Sequence, residues 1–166
     1  MRRTTPSEAE ALALEGKRLH ARGEHEKALE LLRQSTDALP GRPRVELDTA
    51  ELARRLGQTE VAVRHYRRAA TAYAQSGFAR QALAPLRTAL HLEHSRLPAS
   101  AEAVLVVARE LAEALVAQGF TADARQVLEL SAGAFAERGL AVPESLASVA
   151  PPPKSPRLDT RSHRVT

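Results

Sequence analysis

Residues 74–83 read AQSGFARQAL, and residues 117–128 read AQGFTADARQVL. Both carry Ala-Gln, then Gly-Phe, then an alanine five residues past the glycine: Ala82 after Gly77, and Ala124 after Gly119. The same spacing occurs twice more, as Gly23 with Ala28 and Gly57 with Ala62. Each glycine ends one apolar-periodic segment and opens another. Glycine reaches the left-handed backbone conformation that closes a helix. A small residue just inside the next helix lets the two helices approach closely. The repeated phrase is therefore one helix-to-helix turn used several times along the chain.

Gly23 and Gly57 lie 34 residues apart, which is one of the characteristic repeat periods of helical-hairpin solenoids. In the first unit Leu12, Gly16, Leu19, Gly23, Ala28, Leu32 and Pro40 stand at signature positions, with Ser35 in place of a small apolar residue and Glu15 in place of a leucine. The second unit keeps Ala50, Ala53, Gly57, Ala62, Tyr66 and Ala69, and has Glu46 where a large residue is expected. On these residues the chain resembles the tetratricopeptide repeat family over roughly 7–138. The resemblance implies an all-α fold, a right-handed solenoid of antiparallel helix hairpins with about seven helices.

Gly77 follows Gly57 by only 20 residues. One helix fits in that gap and a hairpin does not, so the helix expected at 59–75 serves twice, closing one repeat and opening the next. Tyr66, Ala70, Tyr73 and Gly77 follow the first-helix pattern, and Ala82, Leu86, Ala89 and Leu92 the second. The last pair is expected at about 100–118 and 121–137. Thr5-Pro6-Ser7-Glu8 reads as a capping box with proline at the first helical position, and Thr59 and Thr121 read as N-caps. Pro85 conflicts with a helix over 79–93, since an interior proline costs about 3 kcal/mol; a kink or a late start is expected. Past Gly139 the pattern fades into AVPESLASVAPPPKSPRLDTRSHRVT. The organisation read from the sequence is a flexible N-terminus at 1–6, a repeat domain at 7–141, and a Pro-rich basic tail at 142–166 expected to be disordered, with one short turn near 144–149.

Composition narrows the function classes. The chain has 166 residues, 43% of them hydrophobic and only 3% aromatic, so its core must be built from Ala, Leu and Val. There is no Cys, which removes thiol catalysis and thiolate metal sites and fits a reducing compartment. The longest apolar run, AVLVVA at 103–108, is far short of the roughly 20 residues of a membrane span. A cytoplasmic protein is expected. Of 24 basic residues 21 are Arg and 3 are Lys, a bias that together with the alanine richness points to a GC-rich, bacterial genome.

No catalytic constellation carries weight. EGKR at 15–18 lacks the upstream glycine and the following Ser or Thr of a phosphate loop. His91 and His94 lie three apart on one helix, but structural zinc wants four ligands and nothing nearby completes the set. No cofactor, metal or enzymatic activity is expected.

Charge is more informative. Residues 42–96 carry ten basic and five acidic side chains, whereas 97–141 carry three and six. In the family the first helix of each hairpin lines the inner groove. The resemblance therefore implies that Lys17, Arg44, Arg54, Arg55, Arg64 and Arg67 lie in or beside a peptide-binding groove. Arginine holds a carboxylate through two parallel hydrogen bonds, so such a groove suits an acidic segment, although Glu51 can pair with Arg54 or Arg55. The expected function is a protein-protein interaction adaptor or scaffold whose partner is another protein, engaged as a peptide or helical segment. Weak self-association, acidic end to basic middle, is a further expectation. A secretion-type chaperone of the same repeat family is the alternative; size and repeat number fit it, and the basic charge does not. Nucleic-acid binding fits less well, because net +4 is modest and few aromatics accompany the arginines.

Overall fold

The computed structural model describes residues 5–147. Among the described residues eight α-helices follow one another: α1 (Pro6–Ala21), α2 (His25–Ala38), α3 (Pro43–Arg55), α4 (Thr59–Gln75), α5 (Leu83–Ser95), α6 (Ala101–Ala117), α7 (Thr121–Ala136) and the single turn α8 (Glu144–Ala147). A 3₁₀ turn at Ala79–Ala82 precedes α5. There is no strand among the described residues. Each helix packs on its neighbours in the chain, so the all-α hairpin stack expected from the repeats is the observed fold, with seven long helices and one short one.

The glycine turns explain its regularity. Gly23, Gly57, Gly77 and Gly119 all have φ between 72° and 83°. In each case the next residue donates its amide to the carbonyl five residues back: Glu24 to Leu19 at 3.0 Å, Gln58 to Ala53, Phe78 to Tyr73 and Phe120 to Leu115, each at 2.9 Å. This is the six-to-one closure that satisfies a helix's last carbonyls. In three of the turns the carbonyl of that same residue then opens the next helix, as in Gln58 to Ala62 and Phe120 to Ala124. Thr59 and Thr121 are thereby displaced to the first helical position, and the caps are Gln58 and Phe120, with no side-chain cap bond. The N-cap expected at those two threonines is corrected. The turn has no residue to spare for a side-chain cap.

The alanines five past the glycines sit at the hairpin contacts, with Ala28 and Ala62 wholly buried. Gly16 serves the same closeness from the other side: a Cβ there would stand 3.0 Å from Leu32 Cγ and 3.2 Å from the Ala28 carbonyl. Thr5 and Glu8 form the expected capping box, the Thr5 amide donating to the Glu8 carboxylate at 2.7 Å and the Glu8 amide to Thr5 Oγ1 at 3.2 Å. The helix thus opens inside the segment expected to be flexible. Pro85 lies in the first turn of α5, where no amide donor is needed; the helix starts late and the 3₁₀ turn takes up the slack. The turn expected near 144–149 corresponds to α8, whose Leu146 is buried. The rest of the expected tail, 148–166, lies outside the described residues, as do residues 1–4.

Side-chain contacts sort the helices into two layers. Lys17 meets Asp48 across α1 and α3, and His94 meets Ser131 across α5 and α7. On the other side Arg68 of α4 reaches Asp37 and the Thr36 carbonyl of α2, and Arg67 of α4 pairs with Glu110 of α6. Between the layers runs one apolar cluster from Ala13 to Leu146, with Tyr66, Leu111, Leu115, Val104 and Val107 among its fully buried side chains.

Candidate functional site

The two layers divide the six basic residues expected at the groove. Lys17, Arg44 and Arg55 line one cleft of about 400 Å³ between α1 and α3, together with His20, Asp48 and Glu51. Arg64 and Arg67 line another, of about 410 Å³, where α4 faces α6, together with Arg68, Glu46 and Glu110. Arg54 lies beside the first cleft and turns to Glu51 of its own helix. Helix α4, read from the sequence as the first helix of a new repeat, shares a layer with α2 and α6. Counting hairpins hides this, because a helix used twice keeps its layer while its role in the repeat changes.

Most of these cations already have partners. Lys17 Nζ lies 2.8 Å from Asp48 Oδ2, and Arg44 Nε 3.6 Å from Oδ1 of the same carboxylate. Arg54 holds Glu51 at 3.0 Å, and that hydrogen bond raises its guanidinium above the ordinary value. Arg67 donates through Nε and Nη2 to both oxygens of Glu110, with Nε at 2.8 Å, and this bond likewise raises it. Arg55 and Arg64 are exposed and make no ion pair among the described residues.

Several contributors escaped the sequence reading. Arg68 caps the carbonyl of Thr36 at 3.0 Å and stands 3.0 Å from Glu46 Oε1. Glu46 is buried and its other oxygen lies 2.7 Å from Nδ1 of buried His65. The acid that looked out of place in the repeat pattern is thus the link between α3 and α4. His20 and His25 bring their Nδ1 atoms to 3.0 Å across the first turn, so one ring donates and the other accepts. No group of three or more metal-ligating side chains occurs among the described residues. His91 and His94 line a separate cleft of about 650 Å³ between α5 and α7, where His94 hydrogen-bonds Ser131 at 3.2 Å. No described helix is long and apolar enough to cross a membrane.

No protein-family model matches the chain, and no curated protein is significantly similar to it in sequence. Among solved structures, the nearly identical TPR-like repeats of a kinesin light chain candidate from Podosopora anserina are similar over 83% of this chain and 80% of that one, at 21% identity and a TM-score of 0.37. A single-substitution variant of those repeats gives the same identity and score, with 84% and 80% covered. Likeness at that level adds nothing to what the helices themselves establish.

Proposed function

We propose that this chain is a non-enzymatic interaction module, a bacterial cytoplasmic adaptor or scaffold that holds an acidic segment of another protein across the α1–α3 cleft. The observation that carries the reading is the excess of cations there. Lys17 and Arg44 share the single carboxylate of Asp48, Arg54 takes up Glu51, and Arg55 makes no ion pair among the described residues. The α4–α6 cleft is closer to balance, since Glu46, Glu110 and Asp37 stand against Arg64, Arg67 and Arg68, with Arg64 alone making no ion pair among the described residues. A guanidinium with no acid offers a planar fork to an incoming carboxylate. Stacked hairpins supply the extended surface along which an extended or helical segment gathers many modest contacts.

The test is fluorescence anisotropy with a labelled poly-glutamate peptide. Binding is expected to weaken with salt, and to weaken about tenfold in Arg44→Glu with Arg55→Glu. Neither side chain takes part in the buried core, so the variant should fold. Arg64→Glu, in the other cleft, should leave binding unchanged. A peptide that does not bind, or that is lost equally with Arg64→Glu, removes the α1–α3 assignment.

A further inference from the structure

Among the described residues, the C-terminal end of the stack is incomplete. The even-numbered helices form one layer, and α2, α4 and α6 run for 14, 17 and 17 residues. The next member of that layer, α8, has four. At 1.5 Å per residue it covers about 6 Å of a neighbour about 25 Å long. What remains is a cleft of about 520 Å³ along α6 and α7. Its floor is Leu105, Ala112, Ala124 and Leu128, closed at one end by Leu146. Val116 stands at its edge with 52% of its surface exposed.

The rim says what covers it. Arg109 and Glu113 line it from α6 and Arg125 from α7. Arg125 is half-buried and Glu113 exposed, and neither makes an ion pair among the described residues. An acidic helix would meet Glu113, and a basic one would meet two arginines. A second copy of the same face, turned by a two-fold axis, can set Glu113 against Arg125 in both directions, because an isologous contact places each residue against its counterpart's neighbours. We propose that the protein forms a two-fold dimer in which the α6–α7 cleft of one copy closes on that of the other, Val116 packs near the axis, and Arg125 of each copy pairs with Glu113 of its mate. Glu110, by contrast, is already used within the chain by Arg67, so acidic-to-basic stacking of successive copies is not the arrangement favoured. The dimer contact is independent of the α1–α3 cleft, and either assignment can fail alone.

Sedimentation equilibrium of the full chain up to about 100 µM tests this, a concentration at which even a weak contact of micromolar Kd is populated. The wild type is expected to be a dimer, and Val116→Asp a monomer with unchanged helical circular dichroism. Glu113→Arg and Arg125→Glu should each weaken the dimer by about tenfold or more, and the two together should restore it, since the swap rebuilds the pair across the axis. Leu130→Asp, exposed on the α5–α7 side, should leave the dimer intact. A monomeric wild type overturns the proposal. A dimer that survives Val116→Asp, that breaks with Leu130→Asp, or that the double swap fails to restore, overturns it as well.

Discussion

At the scale of single residues, the buried polar groups carry the sharpest consequences. Glu46 and His65 are 1% and 3% exposed, and Arg68 closes the cluster at 3.0 Å. Removing the Glu46 carboxylate leaves the buried His65 ring without its partner and takes one of several acceptors from Arg68, and loss of one partner from such a buried set costs about 3–5 kcal/mol. Glu46→Ala should lower unfolding free energy by that amount in urea titration, while Glu60→Ala, whose acid is exposed, should change it by less than about 1 kcal/mol. Tyr66 gives the opposite case. Burial, then the neighbouring Glu51, pushes its phenol up to about 12, and its hydroxyl is buried beside Glu51 and Arg54 without a well-aligned hydrogen bond to either. Tyr66→Phe keeps the packing and drops an unsatisfied group, so stability should hold or rise by about 1 kcal/mol; a fall of that size would show that the hydroxyl is bonded.

His94 adds a pH dependence with a definite sign. Burial first, then the charges of Arg138 and His91, hold its imidazole below its ordinary value of 6.5. The unfolded chain then binds a proton more readily than the folded one. Stability attributable to His94 is complete above about pH 6.5 and is lost as the pH falls through the unfolded value towards the folded one. His94→Gln, which keeps a donor for Ser131, should show a shallower loss of stability between about pH 7 and 5 than the wild type, read from melting temperatures across that range. Parallel curves for the two proteins would contradict the assignment.

At the scale of elements, the glycines separate two physical demands that the sequence presents with one letter. Gly16 lies inside α1 and is small because Leu32 and the Ala28 carbonyl leave no room for a Cβ. Gly119 has open space around it and is glycine because its φ is +83°. Gly16→Ala should cost about 1–3 kcal/mol through overpacking, and a second change, Leu32→Val, should recover part of it by withdrawing the clash. Gly119→Ala should cost about 1 kcal/mol through backbone strain, with no core substitution able to recover it. Thermal melts of the two pairs distinguish space from strain. The repeated turn was legible in the sequence because glycine and alanine recur at a fixed offset, and it located most of the helix ends. The N-caps at the repeated turns were not, because the turn spends its one free residue on closing the preceding helix. Ser35 was conspicuous in the repeat pattern but its reason was hidden: its hydroxyl donates to the Ala9 carbonyl at 2.6 Å and receives Arg42, partners far from or irregularly spaced along the chain. The candidate cleft was half legible for a related reason. Basic residues could be assigned to helices, but the carboxylates that neutralise them, Asp48 beside Lys17 and Glu110 beside Arg67, arrive from other helices at separations of 31 and 43 residues.

At the scale of the whole molecule, the fold is a chain of nearest-neighbour contacts, and its stability should be distributed accordingly. Every strong packing pair joins helices adjacent in sequence, so each interface can open while leaving distant ones closed. Leu32 is buried between α1 and α2, and Leu32→Ala should cost about 2–5 kcal/mol. In native-state hydrogen exchange that loss should appear as faster exchange in α1 and α2, with the amides of α6 and α7 unchanged. Tyr66 lies on α4, the helix whose side chains reach α2 on one side and α6 on the other, and it is wholly buried. Tyr66→Ala should therefore accelerate exchange in both directions, from α3 through α6. Uniform acceleration by Leu32→Ala would mean that the stack unfolds as a single unit. Acceleration confined to α3 and α4 by Tyr66→Ala would mean that the shared helix does not couple the two halves, although it is the element through which the repeats change register.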